Sequence, residues 1–241
     1  QEILGVLTVA GAAALGYVFP ISIAIVILLL IVTISYEQTI HAYPGGGGAY
    51  IVSRDNLGEA PAQVAGAALL MDYILTVAVS ISSGVAQIVS AFPQLDHLRI
   101  ELGVLAVFLI MLINLRGVKE SGTAFAIPTY FFIVMMFITV GFGMFRALTG
   151  TLGVVQNPPA LHLVHDLAPI SAFLILHAFA NGTTALTGVE AISNGITAFR
   201  EPRSRNAGIT LIWMSIILGT LFISISYLTG RIGGVFSEEE T

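Results

Sequence analysis

The chain has 241 residues, 56% of them hydrophobic and 10% charged, whereas a soluble domain carries about 25% charged residues; a protein solvated on all sides is excluded. The formal charge of −5 is thinly spread, with Glu238, Glu239 and Glu240 at the very end, and no basic run marks a nucleic-acid partner. No cysteine is present, which rules out disulfides, thiolate metal sites and cysteine catalysis.

Several apolar stretches reach the roughly 20 residues a bilayer-crossing helix needs, so the expected class is an all-α polytopic membrane protein. Gln1 opens directly on helix-like sequence, and both ends are expected to be cut from a longer protein. The first apolar run lacks the basic flank of a signal peptide. It reads as the later part of a helix from Ile3 to about Phe19, closed by Pro20. A second helix is expected over about Pro20 to His41, ending at Tyr43-Pro44. The run "PGGGGAY" that follows lacks the lysine and helix signature of a phosphate loop and reads as a flexible link. Arg54, Asp55 and Glu59 beside it read as solvated surface charges, with gate contacts as the alternative.

A third helix is expected from about Ala60 to Phe92, too long for one perpendicular span and therefore tilted or begun outside the hydrocarbon. The fourth covers about Leu102 to Leu115 and the fifth about Ala124 to Leu148. A loop from Thr149 to Pro169, with Pro158 and Pro159, has room for a short interfacial helix. A sixth segment spans about Ile170 to Phe199, and a seventh about Ala207 to Leu228. Arg54, Arg116, Lys119, Arg200, Arg203 and Arg205 follow the even-numbered helices, against Arg99, Arg146 and Arg231 on the opposite links. That bias places the first set in the cytoplasm.

Two groups of polar residues lie at membrane depth. In the third helix Asp72, Thr76, Ser80, Ser83 and Gln87 recur at helical spacing on one face. A carboxylate in hydrocarbon costs at least about 2.5 kcal/mol, so Asp72 either faces protein or water or snorkels from the cytoplasmic end. Ser83 and Gln87 read as groups that bond within their own helix or aid packing. In the sixth segment, "NGTTALTGVEAISNG" carries Thr183, Thr187, Glu190 and Asn194, again one face if the segment is helical. Gly182, Gly188 and Gly195 argue against a continuous helix there, since each costs about 1 kcal/mol relative to alanine. Irregular backbone at this depth survives where protein buries it or it lines a watery cavity, and transporters use such breaks to coordinate cations. The competing reading is a glycine-rich packing seam with Glu190 at the membrane surface.

The stretches "AYPGGGGAYIVSRDNLGEAPA", "DYILTVAVSISSGVA" and "ALTGVEAISNGITAFREPRSRNAG" resemble the amino acid–polyamine–organocation (APC) permease superfamily, and within it the KUP-related potassium permeases of the KimA type. The resemblance covers essentially the whole chain; the sixth-segment motif is specific, the glycine run weaker. It implies the inverted-repeat transporter fold, incomplete here: most of the first five-helix repeat over roughly residues 1–150, and the start of the second over roughly 170–241. It also implies that Thr76, Ser80, Thr187 and Glu190 are potassium ligands, and that Asp72 and Tyr73 form an acid–tyrosine pair for proton coupling. The family's earlier first-helix contributors would lie upstream of Gln1. His177 stands where the pattern has an arginine-like residue, and a lone intramembrane histidine otherwise reads as a hydrogen-bonded packing residue.

The expected function is therefore secondary-active potassium uptake coupled to protons, by alternating access, in a prokaryotic plasma membrane. No cofactor is expected; the partners are a small cation, the bilayer and, for the full-length protein, a second copy in a homodimer. The alternative is a proton- or sodium-coupled amino acid permease. An intramembrane enzyme is disfavoured: His41, His97, His162 and His165 fall in loops or helix ends, His177 has no metal-spaced partner, and Asp72 has no second aspartate at depth.

Overall fold

In a bilayer the backbone N–H and C=O groups must be satisfied within their own segment, so an apolar run of membrane length folds as helix. A computed structural model of the chain describes residues 2–8, 14–155 and 170–234, with the backbone alone at 2, 8 and 118–120. The described elements are α1 Glu2–Thr8, α2 Val18–Ala42, α3 Gly48–Leu57, α4 Glu59–Ala91, α5 Arg99–Leu115, α6 Val118–Leu148, α7 Ala172–Gly182, α8 Val189–Asn194 and α9 Arg203–Ile232. Five described stretches are long and apolar enough to cross a membrane: 14–42, 59–91, 93–115, 121–148 and 203–232.

Several expected boundaries shift for identifiable reasons. Pro20 does not close the first segment. A 3-10 turn, Ala14–Tyr17, runs straight into α2, and Pro20 sits in the first turn of α2, where a missing N–H costs nothing. Helix α6 begins at Val118, ahead of the expected Ala124, and carries Pro128 in its interior. The glycine run is followed at once by the ten-residue helix α3, which sequence reading left as a link. The interfacial helix considered between Thr149 and Pro169 falls mostly on residues 156–169, outside the described residues.

The chain divides into two compact units. The first holds residues 1–48 and 134–236, the second residues 49–133 together with 237–241, the latter outside the described residues. These units cut across the expected repeats: the first joins α1 and α2 with α7, α8 and α9, which come from opposite halves of the sequence.

Within the first unit α2 is the spine. Its leading half packs in a core of Ile3, Leu7, Val18, Ile21, Ile25 and Leu174. Its trailing half packs in a second core of Leu29, Ile40, Val189, Ile196, Ala207 and Leu211. Helix α9 lies along the same spine through small and hydroxyl residues. Ser22 Oγ stands 2.8 Å from Ser226 Oγ, and Thr33 Oγ1 stands 2.7 Å from Ser215 Oγ, all four residues buried. Gly219 lets the helices approach until its missing Cβ would touch Leu29 at 3.5 Å. Small residues and interhelical hydroxyl pairs are how helices associate where lipid is as apolar as leucine.

Another tight approach is at Gly182, the last residue of α7. A Cβ there would overlap Ile25 Cδ1 and stand 2.8 Å from Ile3 Cγ1. Gly182→Ala should therefore destabilise the protein by about 1–3 kcal/mol through overpacking, measured as a lowered thermal midpoint in detergent.

In the second unit α3 turns through Gly58, at φ +95°, into α4. Tyr50 of α3 lies over Gly66 of α4, where an added Cβ would stand 3.2 Å from its ring. At 1.5 Å per residue the 33-residue α4 is about 50 Å long, more than a bilayer core, as its sequence length implies. Ala78, Ile81, Val85, Val104, Phe108 and Met111 line an open groove of about 680 Å³ between α4 and α5.

Candidate functional site

The sixth segment is broken where its glycines cluster. Helix α7 ends at Gly182 and passes through a 3-10 turn, Thr183–Leu186. Thr187 is then extended, at φ −60° and ψ 142°, and Gly188 is left-handed, at φ 90° and ψ −11°. Helix α8 restarts at Val189, ends at Asn194 and is followed by a second 3-10 turn, Ile196–Ala198. Glycine takes φ +90° at no steric cost, and this residue reverses the chain between the two half-helices. The condition for Thr183, Thr187, Glu190 and Asn194 to share one face, a continuous helix, is therefore not met, because the 100° step per residue is interrupted at Thr187 and Gly188.

The break lies midway along the spine. Gly182 packs on Ile25 and Val189 on the core that includes Leu29, near the centre of the apolar stretch 14–42. Glu190, half-buried, follows two residues after the reversal, and its Oε1 accepts the Gly188 N–H at 3.2 Å. That amide belongs to the first turn of α8, where no helical carbonyl is available. Among the described residues no lysine, arginine or histidine pairs with the Glu190 carboxylate; the ion pairs there are His41–Glu37, Arg54–Asp55, Arg99–Asp96 and Arg203–Glu201. Thr187 is exposed within its unit and its hydroxyl donates to Thr184 O at 2.9 Å. Thr183 Oγ1 likewise donates to Ala180 O at 2.6 Å.

Two features of this region were not read from sequence. Ser193 is fully buried on the face of α8 that carries Val189, and its Oγ has no hydrogen-bond partner among the described residues. The glycine run after α2 is also not a loose link: Gly47 N–H donates to Asn194 O at 3.2 Å, which ties it to the end of α8. The four consecutive glycines were the available signal, since such a run fits a close backbone approach as well as flexibility.

In the second unit Asp72, Tyr73 and Thr76 are half-buried and Ser80 is exposed. Counting 100° per residue, the row Asp72, Thr76, Ser80, Ser83 and Gln87 lies roughly 150° around α4 from the face that meets α5. The buried α4 residues Val85 and Val89 fall on that α5 side. The polar row is thus the side of α4 left uncovered by α5, and the open apolar groove holds none of the candidate residues. Arg54 and Asp55 pair with each other at 3.3 Å while exposed, the solvated reading of these charges. His177 is exposed in its unit and sits beside Phe173, ring centroids 6.0 Å apart, outside the packed core.

The sequence profile of a family described as amino acid permease matches residues 2–230. The chain is 47% identical over its whole length to the potassium transporter KimA of Bacillus subtilis (strain 168), of which it covers 39%. It is 26% identical over 152 residues, 61% of the chain, to the low affinity potassium transport system protein Kup of Pectobacterium atrosepticum, of which it covers 23%. The chain thus spans about two fifths or less of the length of these relatives. A match over nearly every residue, with membrane-length helices and a sixth segment broken at its glycines, has one consequence: the chain belongs to the amino acid permease family of the APC superfamily, a family of integral membrane transporters rather than enzymes.

Proposed function

We propose that this chain is the ion-binding part of a secondary-active potassium importer, coupled to protons and working by alternating access. The observation that carries the reading is the broken sixth segment, which sets Glu190, a carboxylate with no ion-pair partner among the described residues, at mid-span beside the Thr187–Gly188 reversal. A carboxylate taken from water without a partner is costly, and a cation shed of its hydration shell offsets that cost. The 47% identity to a potassium transporter supports potassium as that cation.

Thr76, Ser80, Thr187 and Glu190, the set the family resemblance implies, are the proposed oxygen donors. Three hydroxyls replace hydration oxygens and the carboxylate balances the charge. Asp72 and Tyr73 are the proposed proton-coupling pair, the acid–tyrosine pair that the family resemblance implies. No bond is made or broken and no cofactor is required. Homodimerisation of the full-length protein belongs to the same proposal.

A second reading has its own support: the matching family is described as amino acid permease. The full-length protein in liposomes separates the two when offered labelled potassium and a panel of labelled amino acids. Saturable potassium uptake is expected. Saturable amino acid uptake without potassium flux would replace the first reading by the second.

A further inference from the structure

Helix α8 has six residues, fewer than two turns, and cannot hold its own position, because short helices are marginal without tertiary support. Its start is a glycine reversal and its buried face is Val189 and Ser193. What fixes its far end is the turn that leaves α2. Gly47 donates its N–H to Asn194 O at 3.2 Å. Gly46 comes so close that a Cβ would stand 3.0 Å from the same oxygen and 3.6 Å from Thr197 Cγ2. At Gly48 a Cβ would overlap the Asn194 side-chain amide at Oδ1. All three glycines have positive φ, 79°, 92° and 43°. The glycine run is therefore a fitted cradle: it needs left-handed backbone at all three positions and the space of the missing side chains at Gly46 and Gly48.

Glu190 precedes Asn194 by four residues, about one turn and roughly 6 Å along the helix. A shift of the cradled end moves the carboxylate with it. We infer that Asn194, held in the Gly46–Gly48 cradle, is a positioning residue that sets where the Glu190 carboxylate stands and hence the affinity for the transported cation. The inference rests on the reading of Glu190 as a cation ligand. It gives the link between α2 and α3 a part in substrate binding, although that link touches no proposed ligand directly.

The test is a double-substitution cycle in the full-length protein in liposomes, reading KM and maximal rate for labelled rubidium as a potassium substitute. KM does not depend on how much protein inserts, so it separates positioning from loss of folded transporter. Asn194→Ala should raise KM at least about fivefold, the lower end of ordinary coupling between sites, with the maximal rate per inserted molecule changed by less than about twofold. Gly48→Ala should raise KM similarly, and the double variant should add less than about twofold to Asn194→Ala, because the amide that Gly48→Ala strikes is gone. A normal KM in Asn194→Ala, or a double variant whose KM change is the product of the two single changes, overturns the inference. If Gly48→Ala does not insert, Gly46→Ala, directed at the Asn194 carbonyl, takes its place with Asn194→Ala as reference, and a normal KM in both has the same consequence. Glu190→Gln keeps the two ideas apart: normal uptake by that variant removes the cation-ligand reading itself. Loss of uptake there with a normal KM in Asn194→Ala removes only the positioning role.

Discussion

Replacing Glu190 by glutamine in the full-length protein is expected to abolish potassium uptake at limiting potassium and to leave insertion into the membrane intact. Glutamine has the shape of glutamate and keeps a carbonyl oxygen for the Gly188 N–H, the 3.2 Å contact that holds the side chain. What it loses is the charge. Two unit charges about 4 Å apart in an effective dielectric of about 20 attract by about 4 kcal/mol, which is about a thousandfold in affinity. No described cation shares that carboxylate, so little else at the site compensates. The measurement is uptake across a potassium series, with the amount of inserted protein quantified in the same membranes. Uptake equal to that of the unaltered protein at limiting potassium would contradict the assignment.

Asp72→Asn is expected to act on coupling and not on binding. Asp72 is the one acid of α4 beyond Glu59 at its start, half-buried on the face that α5 leaves uncovered. Asparagine preserves its size and polarity and removes the carboxyl group that can take up and release a proton. Potassium binding should stay within about threefold of the unaltered protein. The acceleration of uptake by an imposed proton gradient should vanish. Uptake measured with and without that gradient, beside equilibrium binding, reads both effects. Gradient-driven uptake that persists, or loss of binding with coupling unchanged, would reassign the residue.

Much of the architecture was legible because the bilayer simplifies the code. Runs of apolar residues of the required length gave α2, α4, α5, α6 and α9, and the glycines at 182, 188 and 195 marked the sixth segment as discontinuous. The misreadings have local physical causes. Helix α3 was hidden because "PGGGG" reads as loop, and the helix starts on the last of those glycines. Pro20 looks like a stop but is harmless in a first turn. The three- and four-residue spacing of Thr183, Thr187, Glu190 and Asn194 gives a common face only in a continuous helix, which the glycines break. The cradle around Asn194 joins residues far apart in sequence, and no local pattern encodes such a contact. The orphan hydroxyl of Ser193 was equally silent: in sequence it is one more small residue in a small-residue stretch.

The division into compact units was also beyond sequence reading. Helices α2 and α9 face one another through Ser22 with Ser226 and Thr33 with Ser215. Serine and threonine in an apolar helix are equally suited to bonding their own carbonyls, and these residues do that as well: Ser22 lies 2.7 Å from Val18 O and Thr33 2.7 Å from Leu29 O. Sequence shows the hydroxyls but not which neighbouring helix meets them.

The claim on which the rest depends is that a helix interrupted at mid-span exists to hold a metal cation against one acid. Equilibrium binding of labelled rubidium to the purified full-length protein, unaltered and as Glu190→Gln, addresses it without the complications of gating or coupling. Saturable binding, displaced by potassium and missing in the glutamine variant, is the predicted result. Undiminished saturable binding in the glutamine variant would contradict it.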